Sequence, residues 1–171
     1  MKGFPELTRP KTAPYSTTKI TATESQVMID KLLELYGITD IQWTREGDRR
    51  ILRFLANLDM GEGLKTKIGF KFEPPLFEME RKTYVPEKGR YQKLKLPNHA
   101  QGMRLLYDYL NMKLAATAWG MVPFEEEFLP NAILNTPKGE TTFAEMVKKQ
   151  RFLALPAAQG QVLEIEAKVT D

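Results

Sequence analysis

The sequence predicts an α+β protein in which an antiparallel sheet of three to four strands is packed by one long helix. Apolar and polar residues alternate along residues 51–58 and 64–72, which is the pattern of a half-buried strand. Apolar residues instead recur every three or four positions along residues 27–36 and 103–118, which is typical of amphipathic helices. A chain of 171 residues is long enough for these elements to enclose one hydrophobic core.

Local signals predict where the two main helices begin and end. Thr23 and Gln26 have the spacing of a capping box, so we expect an N-terminal helix to begin there. Gly37 is expected to end this helix as a left-handed C-cap. Asn98 predicts the start of the long helix, which we expect to end near Gly120 and to pack across the apolar side of the sheet.

The predicted strands form a three-stranded antiparallel meander. Residues 38–44, 51–58 and 64–72 are separated by glycine-containing turns at 46–48 and 60–63, where glycine accepts a positive φ at little cost.

The third strand has one apolar and one basic side. Ile68, Phe70 and Phe72 share the same parity, so we expect both phenylalanines to face the core rather than a ligand. Residues 91–96 predict a fourth strand at the sheet edge.

The C-terminal third predicts short elements. Residues 124–129 indicate a short acidic helix or turn, and residues 135–139 a tight turn. A capping box at residues 142–145 indicates a helix that extends to about Arg151. We expect three regions in all: an extended arm at 1–22, one α+β domain at 23–156, and a tail or added strand at 157–171. In the tail, apolar residues occupy every second position, at Leu163, Ile165, Ala167 and Val169.

Composition excludes several classes of chemistry. The absence of cysteine removes disulfides, thiolate metal sites and cysteine nucleophiles, and His99 is the single histidine, so no histidine-based triad or pair of metal ligands is available. The N-terminus lacks the apolar segment of a signal peptide, and the run 114–124 is too short to span a bilayer. These features predict a cytoplasmic protein without a cofactor or a membrane partner.

Two further patterns are better explained by structure than by catalysis. The carboxylates of Glu125, Glu126 and Glu127 are adjacent in sequence, so on a helix they point in different directions, which is unsuitable for paired acid–base work. The glycines in residues 59–63 lie in a turn between strands and not before a helix, where a phosphate-binding loop would need them. The sequence therefore predicts no catalytic residue, no metal site and no enzyme activity.

Positive charge is concentrated in the middle of the chain. The net charge is +3, and residues 65–104 contain ten lysines and arginines against four glutamates. Phosphates favour such a strip, and tyrosine rings can stack on unpaired bases. Lysines on exposed strands also simply prevent aggregation, and that reading stays open. The candidate nucleic-acid-binding residues are Arg53, Lys65, Lys67, Lys71, Arg81, Lys82, Arg90, Tyr91, Lys93 and Lys95, with Tyr84 as a further stacking residue.

Residues 114–129, with the sequence LAATAWGMVPFEEEFL, followed by a turn and residues 139–141, resemble a pattern in small uncharacterised proteins of phages and prophages. This resemblance implies a mobile-element setting and identifies no functional residue. The predicted order of helix, basic meander and long helix is similar, in topology only, to the Rad52-like single-strand annealing proteins of phages, which bind single-stranded DNA and form rings.

The sequence thus predicts a non-enzymatic protein of a phage or mobile element that binds single-stranded nucleic acid through an open basic sheet face. We expect it to form a homo-oligomer or to bind a phage protein partner. The alternative is a protein–protein interaction module with a structural, assembly or counter-defence role, using the arm, the acidic segment and the tail, with residues 162–169 adding a strand to a neighbour. If carboxylates of the same chain neutralised the basic sheet face, the basis for nucleic-acid binding by that face would be lost and the assembly role would remain. Trp43 and Trp119 are expected to be packing residues, Trp119 tucked into the sheet.

Overall fold

The computed structural model describes residues 13–59, 65–137 and 139–151, and the fold is α+β. The helices are α1 (Ala22–Leu35), α2 (His99–Ala118), α3 (Phe124–Phe128) and α4 (Phe143–Arg151). The strands are β1 (Asp40–Glu46), β2 (Arg49–Asp59), β3 (Lys65–Phe72), β4 (Glu78–Val85), β5 (Arg90–Pro97), β6 (Ile133–Thr136) and β7 (Gly139–Thr142). They form one three-stranded and two two-stranded antiparallel sheets.

The predicted meander is confirmed as the sheet β1–β2–β3. Its inner face carries Phe54 opposite Phe70, and the next pair along, Leu52 and Phe72, lies on the same face. All four side chains are buried, as the period-two alternation predicts. The expectation that Phe70 and Phe72 face the core is therefore confirmed.

Helices α1 and α2 cover the inner face of the sheet. Leu106, Leu110 and Leu114 recur along one side of α2 and belong to the same buried cluster as Phe54 and Phe70. Each buried leucine of this kind contributes about 1.5–3 kcal/mol to folding. The long helix therefore closes the core, as predicted.

The predicted helix ends are confirmed except at the start of α1. The backbone N–H groups of Gly37 and Ile38 donate to carbonyls in the last turn of α1, and Gly37 has a φ of 79°. This is the double hydrogen bond of a Schellman ending. The start of α1 was predicted two residues too late, because the capping box is formed by Thr21 and Glu24. Thr21 was overlooked because Thr23 offers the same spacing.

The prediction of a fourth strand at the edge of the main sheet is wrong in its pairing. Strand β5 instead pairs with β4 to form a separate two-stranded hairpin, and a 3-10 turn at Pro86–Lys88 joins the two strands. We call residues 78–97 the hairpin arm. None of its residues is buried.

A second small hairpin, β6–β7, and helix α4 follow α3. Ala132 forms an isolated bridge with Phe70 of β3, and Phe143 donates its backbone N–H to the carbonyl of Ala132. The predicted turn at 135–139 joins the two strands of this hairpin. Helix α4 begins at the predicted capping box of Thr142 and Glu145.

The environment of Trp119 is opposite to the prediction. Trp119 is the C-cap residue of α2, and its side chain is 85% exposed, so it does not pack into the sheet. Trp43 is half-buried, and its indole N–H donates to Asp30 of α1 at 2.8 Å, which is a packing role as expected.

The described end of the N-terminal arm is anchored to α2. The Tyr15 hydroxyl donates to the Asp108 carboxylate, and the Arg104 guanidinium lies 5.7 Å from the centre of the Tyr15 ring. The hydrogen bond to Asp108 raises the pKa of Tyr15, because it favours the protonated phenol. The predictions for residues 1–12, for the turn at 60–63 and for the tail from 152 onward lie outside the described residues.

Candidate nucleic-acid interface

The side of the main sheet that faces away from α1 and α2, here the outer sheet face, carries three of the predicted binding cations. Each is matched by a carboxylate of the same chain. Lys67 Nζ lies 2.8 Å from Asp40 Oδ2, Lys71 Nζ lies 3.1 Å from Glu73 Oε1, and Arg53 lies 3.1 Å from Glu140 Oε1. These pairs leave little uncompensated positive charge on this part of the sheet.

The outer sheet face is also partly covered. Arg53 additionally donates to the Thr44 hydroxyl at 2.6 Å, and the Ile133 side chain of β6 lies directly over Gly69. Ile51 shares the parity of Arg53 and is nevertheless buried. The expectation of an open basic sheet face is therefore wrong for Arg53 and Lys71, whose side chains are only 20% and 17% exposed, whereas Lys67 stays exposed and is paired with Asp40. The side chain of Lys65 lies outside the described part of the structure.

The hairpin arm brings together the remaining predicted residues. Its register places Lys82 opposite Lys93 and Tyr84 opposite Tyr91, so these four side chains project from one face of the two-stranded ribbon. We call this the tyrosine–lysine face. Every one of the four is exposed to solvent.

The other face of the ribbon has a different character. Arg81 lies opposite Leu94, Val85 opposite Arg90, and Met79 opposite Leu96. Thr83 and Gln92 form a polar pair between these positions, so this face mixes apolar, polar and guanidinium side chains.

Charge on the arm is less compensated than charge on the outer sheet face. Lys93 and Lys95 each lie 3.7 Å from a glutamate carboxylate, and the side chains of both lysines are about 70% exposed, so these pairs stabilise little. No carboxylate among the described residues lies within ion-pair distance of four cations of the arm. They are Arg81, Lys82, Lys88 and Arg90.

The direct opposition of Lys82 and Lys93 is unfavourable for the isolated protein. Like charges facing each other across an antiparallel pair are destabilising, whereas Lys with Glu at the same positions would stabilise the hairpin by a few tenths of a kcal/mol. An anion placed between the two ammonium groups would remove this repulsion. The pair is therefore suited to a phosphate.

The two tyrosines of the arm contact each other and still present ring surface to solvent. The ring centroids of Tyr84 and Tyr91 are 5.4 Å apart at an interplanar angle of 63°, and the residues are 51% and 71% exposed. An edge-to-face pair of this kind leaves ring faces available for a further aromatic group. The lysines lie two residues from the tyrosines on the same face.

Sequence reasoning identified the basic residues of the arm but not their arrangement. Residues 78–85 were not predicted to be a strand, since they contain charged residues at four positions and lack a regular apolar alternation. Without β4, Tyr84 and Lys82 had no partner strand. The signal that was available is the four-residue turn 86–89, which contains Pro86 and Gly89 between two tyrosine-containing segments.

The described residues contain no group of three or more His, Cys, Asp or Glu side chains that could hold a metal ion. His99 lies half-buried in the first turn of α2, and the sequence contains no second histidine and no cysteine. Over the same residues, no helix is both long enough and apolar enough to cross a bilayer.

Comparison of the chain with protein-family models, with curated proteins and with solved structures gave no match.

Proposed function

We propose that this protein is a non-enzymatic, single-stranded nucleic-acid-binding protein of a phage or mobile element, and that the hairpin arm is its binding element. The observation that carries this proposal is the tyrosine–lysine face, where two exposed aromatic rings adjoin two opposed, weakly compensated lysines. The role predicted for the outer sheet face moves to the arm, because the cations of the sheet are paired within the chain.

Each part of the face has a physical counterpart in a single strand. The ammonium groups of Lys82 and Lys93 attract backbone phosphates, and a base without a pairing partner can stack on Tyr91 or Tyr84. Bases of a duplex are already stacked and offer no free ring face at this position. The combination of rings and cations on one face thus favours single strands over duplexes.

The charge of the arm sets the expected salt dependence. If four cations each neutralise one phosphate of a single strand, the slope of log K against log salt is about −2.8, which lowers affinity about 50-fold between 50 and 200 mM salt. Removing two of these cations should reduce the slope by about 1.4.

The test is fluorescence polarisation with labelled single-stranded DNA, duplex DNA and RNA over a salt series. The variant Lys82→Gln with Lys93→Gln removes two cations of the arm, and Lys67→Gln with Lys71→Gln removes two cations of the outer sheet face. We expect the first variant to weaken binding at least tenfold and to flatten the salt slope, and the second to stay within about twofold of the unmodified protein. Equal losses in both variants would show that the site is not the arm, and salt-independent binding would refute the phosphate mechanism.

Aromatic stacking is tested separately at Tyr91. Tyr91→Phe keeps the ring, whereas Tyr91→Leu keeps an apolar side chain without a π-face. Stacking contributes about 1–3 kcal/mol per base, so we expect Tyr91→Leu to weaken single-strand binding about 5- to 100-fold and Tyr91→Phe to change it little. If both variants bind alike, the ring does not stack on a base.

The second candidate function is a protein–protein interaction module. The observation that favours it is the exposure of three large apolar side chains near the C-terminal end of α2, namely Met112, Trp119 and Met121. Exposed apolar groups collected in one region are typical of interaction surfaces. Trp119→Ser should abolish capture of a partner phage protein and leave oligonucleotide binding unchanged, which separates this function from the first.

A further inference from the structure

Arg45 of β1 and Arg50 of β2 lie directly opposite each other across the main sheet. We propose that this pair of guanidinium groups, here the arginine pair, binds a backbone phosphate of the same single strand that the hairpin arm binds. The inference rests on the proposed function and adds to it a second phosphate site outside the arm.

The arginine pair lies at one end of the inner face of the sheet. Side chains alternate along a strand, so Arg45 and Arg50 share the face of Trp43 and Leu52, the opposed residues two positions away. Directly opposed residues have Cβ atoms about 4.5–5.5 Å apart, so both guanidinium groups can reach a single phosphate between them. One anion can therefore bind to both arginines at once.

The arginine pair lines a groove of about 140 Å³ together with Gln26 of α1, Trp43 and Thr44. The indole ring of Trp43 is held in place, since its N–H donates to Asp30 at 2.8 Å. Sites that enclose a whole small molecule have volumes of about 300–1,000 Å³. The groove is smaller than these sites, so it suits one charged group of a longer ligand that runs along the surface.

Each guanidinium group of the pair is oriented by a contact within the chain. Arg45 Nε donates to the Gly47 carbonyl at 3.1 Å, and Arg50 Nη1 donates to Gln26 Oε1 at 3.2 Å. A guanidinium group has five N–H donors, so most donors of both arginines have no partner among the described residues. Forked donors in a fixed orientation match the oxygens of a phosphate, which they bind in a bidentate manner.

Among the described residues, no carboxylate lies within ion-pair distance of the arginine pair. Glu46 lies 3.8 Å from Arg53 instead, and Glu73 lies 3.6 Å from Arg49. Asp48, in the turn that joins the two strands, is exposed and forms no ion pair with either arginine. Opposed like charges destabilise the free protein, and an anion bound between them removes the repulsion.

The arginine pair adjoins the base of the hairpin arm. Arg50 also lines a narrow crevice with Leu76 and His99, which flank the arm on its two sides in the sequence. The Asn98 backbone N–H donates to the Phe77 carbonyl at 2.6 Å, so both strands of the arm leave the domain at this place. A nucleic-acid strand that runs along the arm towards its base therefore reaches the arginine pair.

The length of the arm sets the length of strand that contacts both sites. Lys82 and Glu78 are four positions apart on β4, which is about 13 Å along a strand. At a stacking distance of about 3.4 Å per nucleotide, about twelve nucleotides span roughly 40 Å, which covers the arm and the groove at its base. Continuity with the arm favours a nucleic-acid phosphate over the carboxylate of an acidic peptide, because one ligand then occupies both sites.

The test is fluorescence polarisation of variants of the full chain with a labelled oligothymidine of about twelve nucleotides. Arg45→Gln with Arg50→Gln removes the charge of the pair, whereas Arg45→Lys with Arg50→Lys keeps the charge and removes the guanidinium fork. Arg49→Gln is the matched control, because Arg49 is adjacent in sequence, lies on the opposite face and is paired with Glu73. Far-UV circular dichroism checks folding, and Arg45→Gln alone, at an exposed position, replaces the double variant if that variant does not fold.

We expect Arg45→Gln with Arg50→Gln to weaken binding about tenfold, because hydrogen bonds between a charged donor and a charged acceptor are lost. The double lysine variant should weaken binding about threefold, since an ammonium group cannot form the bidentate contact. Arg49→Gln should stay within about twofold of the unmodified protein, because its charge is already paired.

NMR of the arginine Nε–H groups locates the ligand directly, with inorganic phosphate, acetate and the oligothymidine as separate probes. Phosphate and the oligothymidine should both shift the signals of Arg45 and Arg50 and leave that of Arg49 in place. Signals that respond to phosphate but not to the oligothymidine would assign the pair to another phosphate compound and overturn the proposal. A response to acetate as strong as that to phosphate, without a response to the oligothymidine, would favour an acidic peptide and also overturn it.

The polarisation assay separates failure of this inference from failure of the proposed function. If Lys82→Gln with Lys93→Gln weakens binding and Arg45→Gln with Arg50→Gln does not, the arm binds the strand and the arginine pair does not. An equal loss in Arg49→Gln and in the double glutamine variant would show a general effect of charge and would overturn the site. If the unmodified protein binds no oligonucleotide, the proposed function is wrong and this inference is wrong with it.

Discussion

Replacing Lys113 by methionine tests how α3 is held against α2. Lys113 is only 8% exposed, and its Nζ donates to the Glu127 backbone carbonyl at 2.6 Å and lies 2.7 Å from the Glu127 carboxylate. The ammonium group also lies 4.9 Å from the ring centre of Tyr109 and 5.3 Å from that of Phe128. Methionine keeps most of the aliphatic stem but removes every one of these interactions.

The structure sets the magnitude of the loss. Breaking a buried ion pair by removing one partner costs about 3–5 kcal/mol when the remaining charge is fully buried. The Glu127 side chain is 28% exposed, so water compensates part of that cost. We therefore expect Lys113→Met to lower the free energy of unfolding by about 2–3 kcal/mol, which corresponds to a fall in Tm of about 4–12 °C for a domain of this size.

Urea denaturation followed by circular dichroism measures this change. The control is the double variant Lys113→Met with Glu127→Gln, which removes both charges and should be less destabilised than Lys113→Met alone. The reasoning would be refuted if Lys113→Met cost less than about 0.5 kcal/mol, or if the double variant were the less stable of the two. Loss of the Lys113–Glu127 contacts matters for the core, because the ring of Phe128 packs edge-to-face against the rings of Phe54, Phe70 and Phe72.

Two further predictions concern backbone packing and pH. Gly102→Ala should destabilise the protein by about 1–3 kcal/mol in the same urea assay, although alanine has the better helix propensity. The reason is that a Cβ at position 102 would lie far inside van der Waals contact with the Pro75 carbonyl oxygen. An unchanged or raised stability would contradict this close approach. The Thr142 backbone N–H donates to the Glu145 carboxylate, and this hydrogen bond lowers the pKa of Glu145. Glu145 therefore contributes stability that is present above the pKa of the unfolded state and is lost as the pH falls through the lower pKa of the folded state. Glu145→Gln should therefore lower the free energy of unfolding by about 0.5 kcal/mol at pH 7, a small effect because the side chain is exposed. The difference from the unmodified protein should vanish in acid. A difference that persists unchanged at pH 3 would contradict the capping role of Glu145.

The elements that the sequence predicted correctly depend on short-range geometry. Gly37 ends α1 because a residue without Cβ accepts the left-handed conformation, and Asn98 begins α2 because its side chain can reach a backbone N–H three residues on. The faces of β2 and β3 follow from the two-residue period of a strand. Each of these features is decided by residues within a few positions of one another.

The candidate site depends on contacts between residues distant in the chain, and there the predictions failed in part. Arg53 looked available for a ligand until the structure placed Glu140, 87 residues away, beside it, and residues 91–96 looked like an edge of the main sheet until β4 was found to pair with them. An alternating pattern fixes which side of a strand a cation occupies, but not which carboxylate lies across from it. Local sequence thus determined the helices, the turns and the faces of the strands, whereas only the tertiary structure decided which charges are neutralised, because Coulomb attraction depends on distance in space and not on separation along the chain.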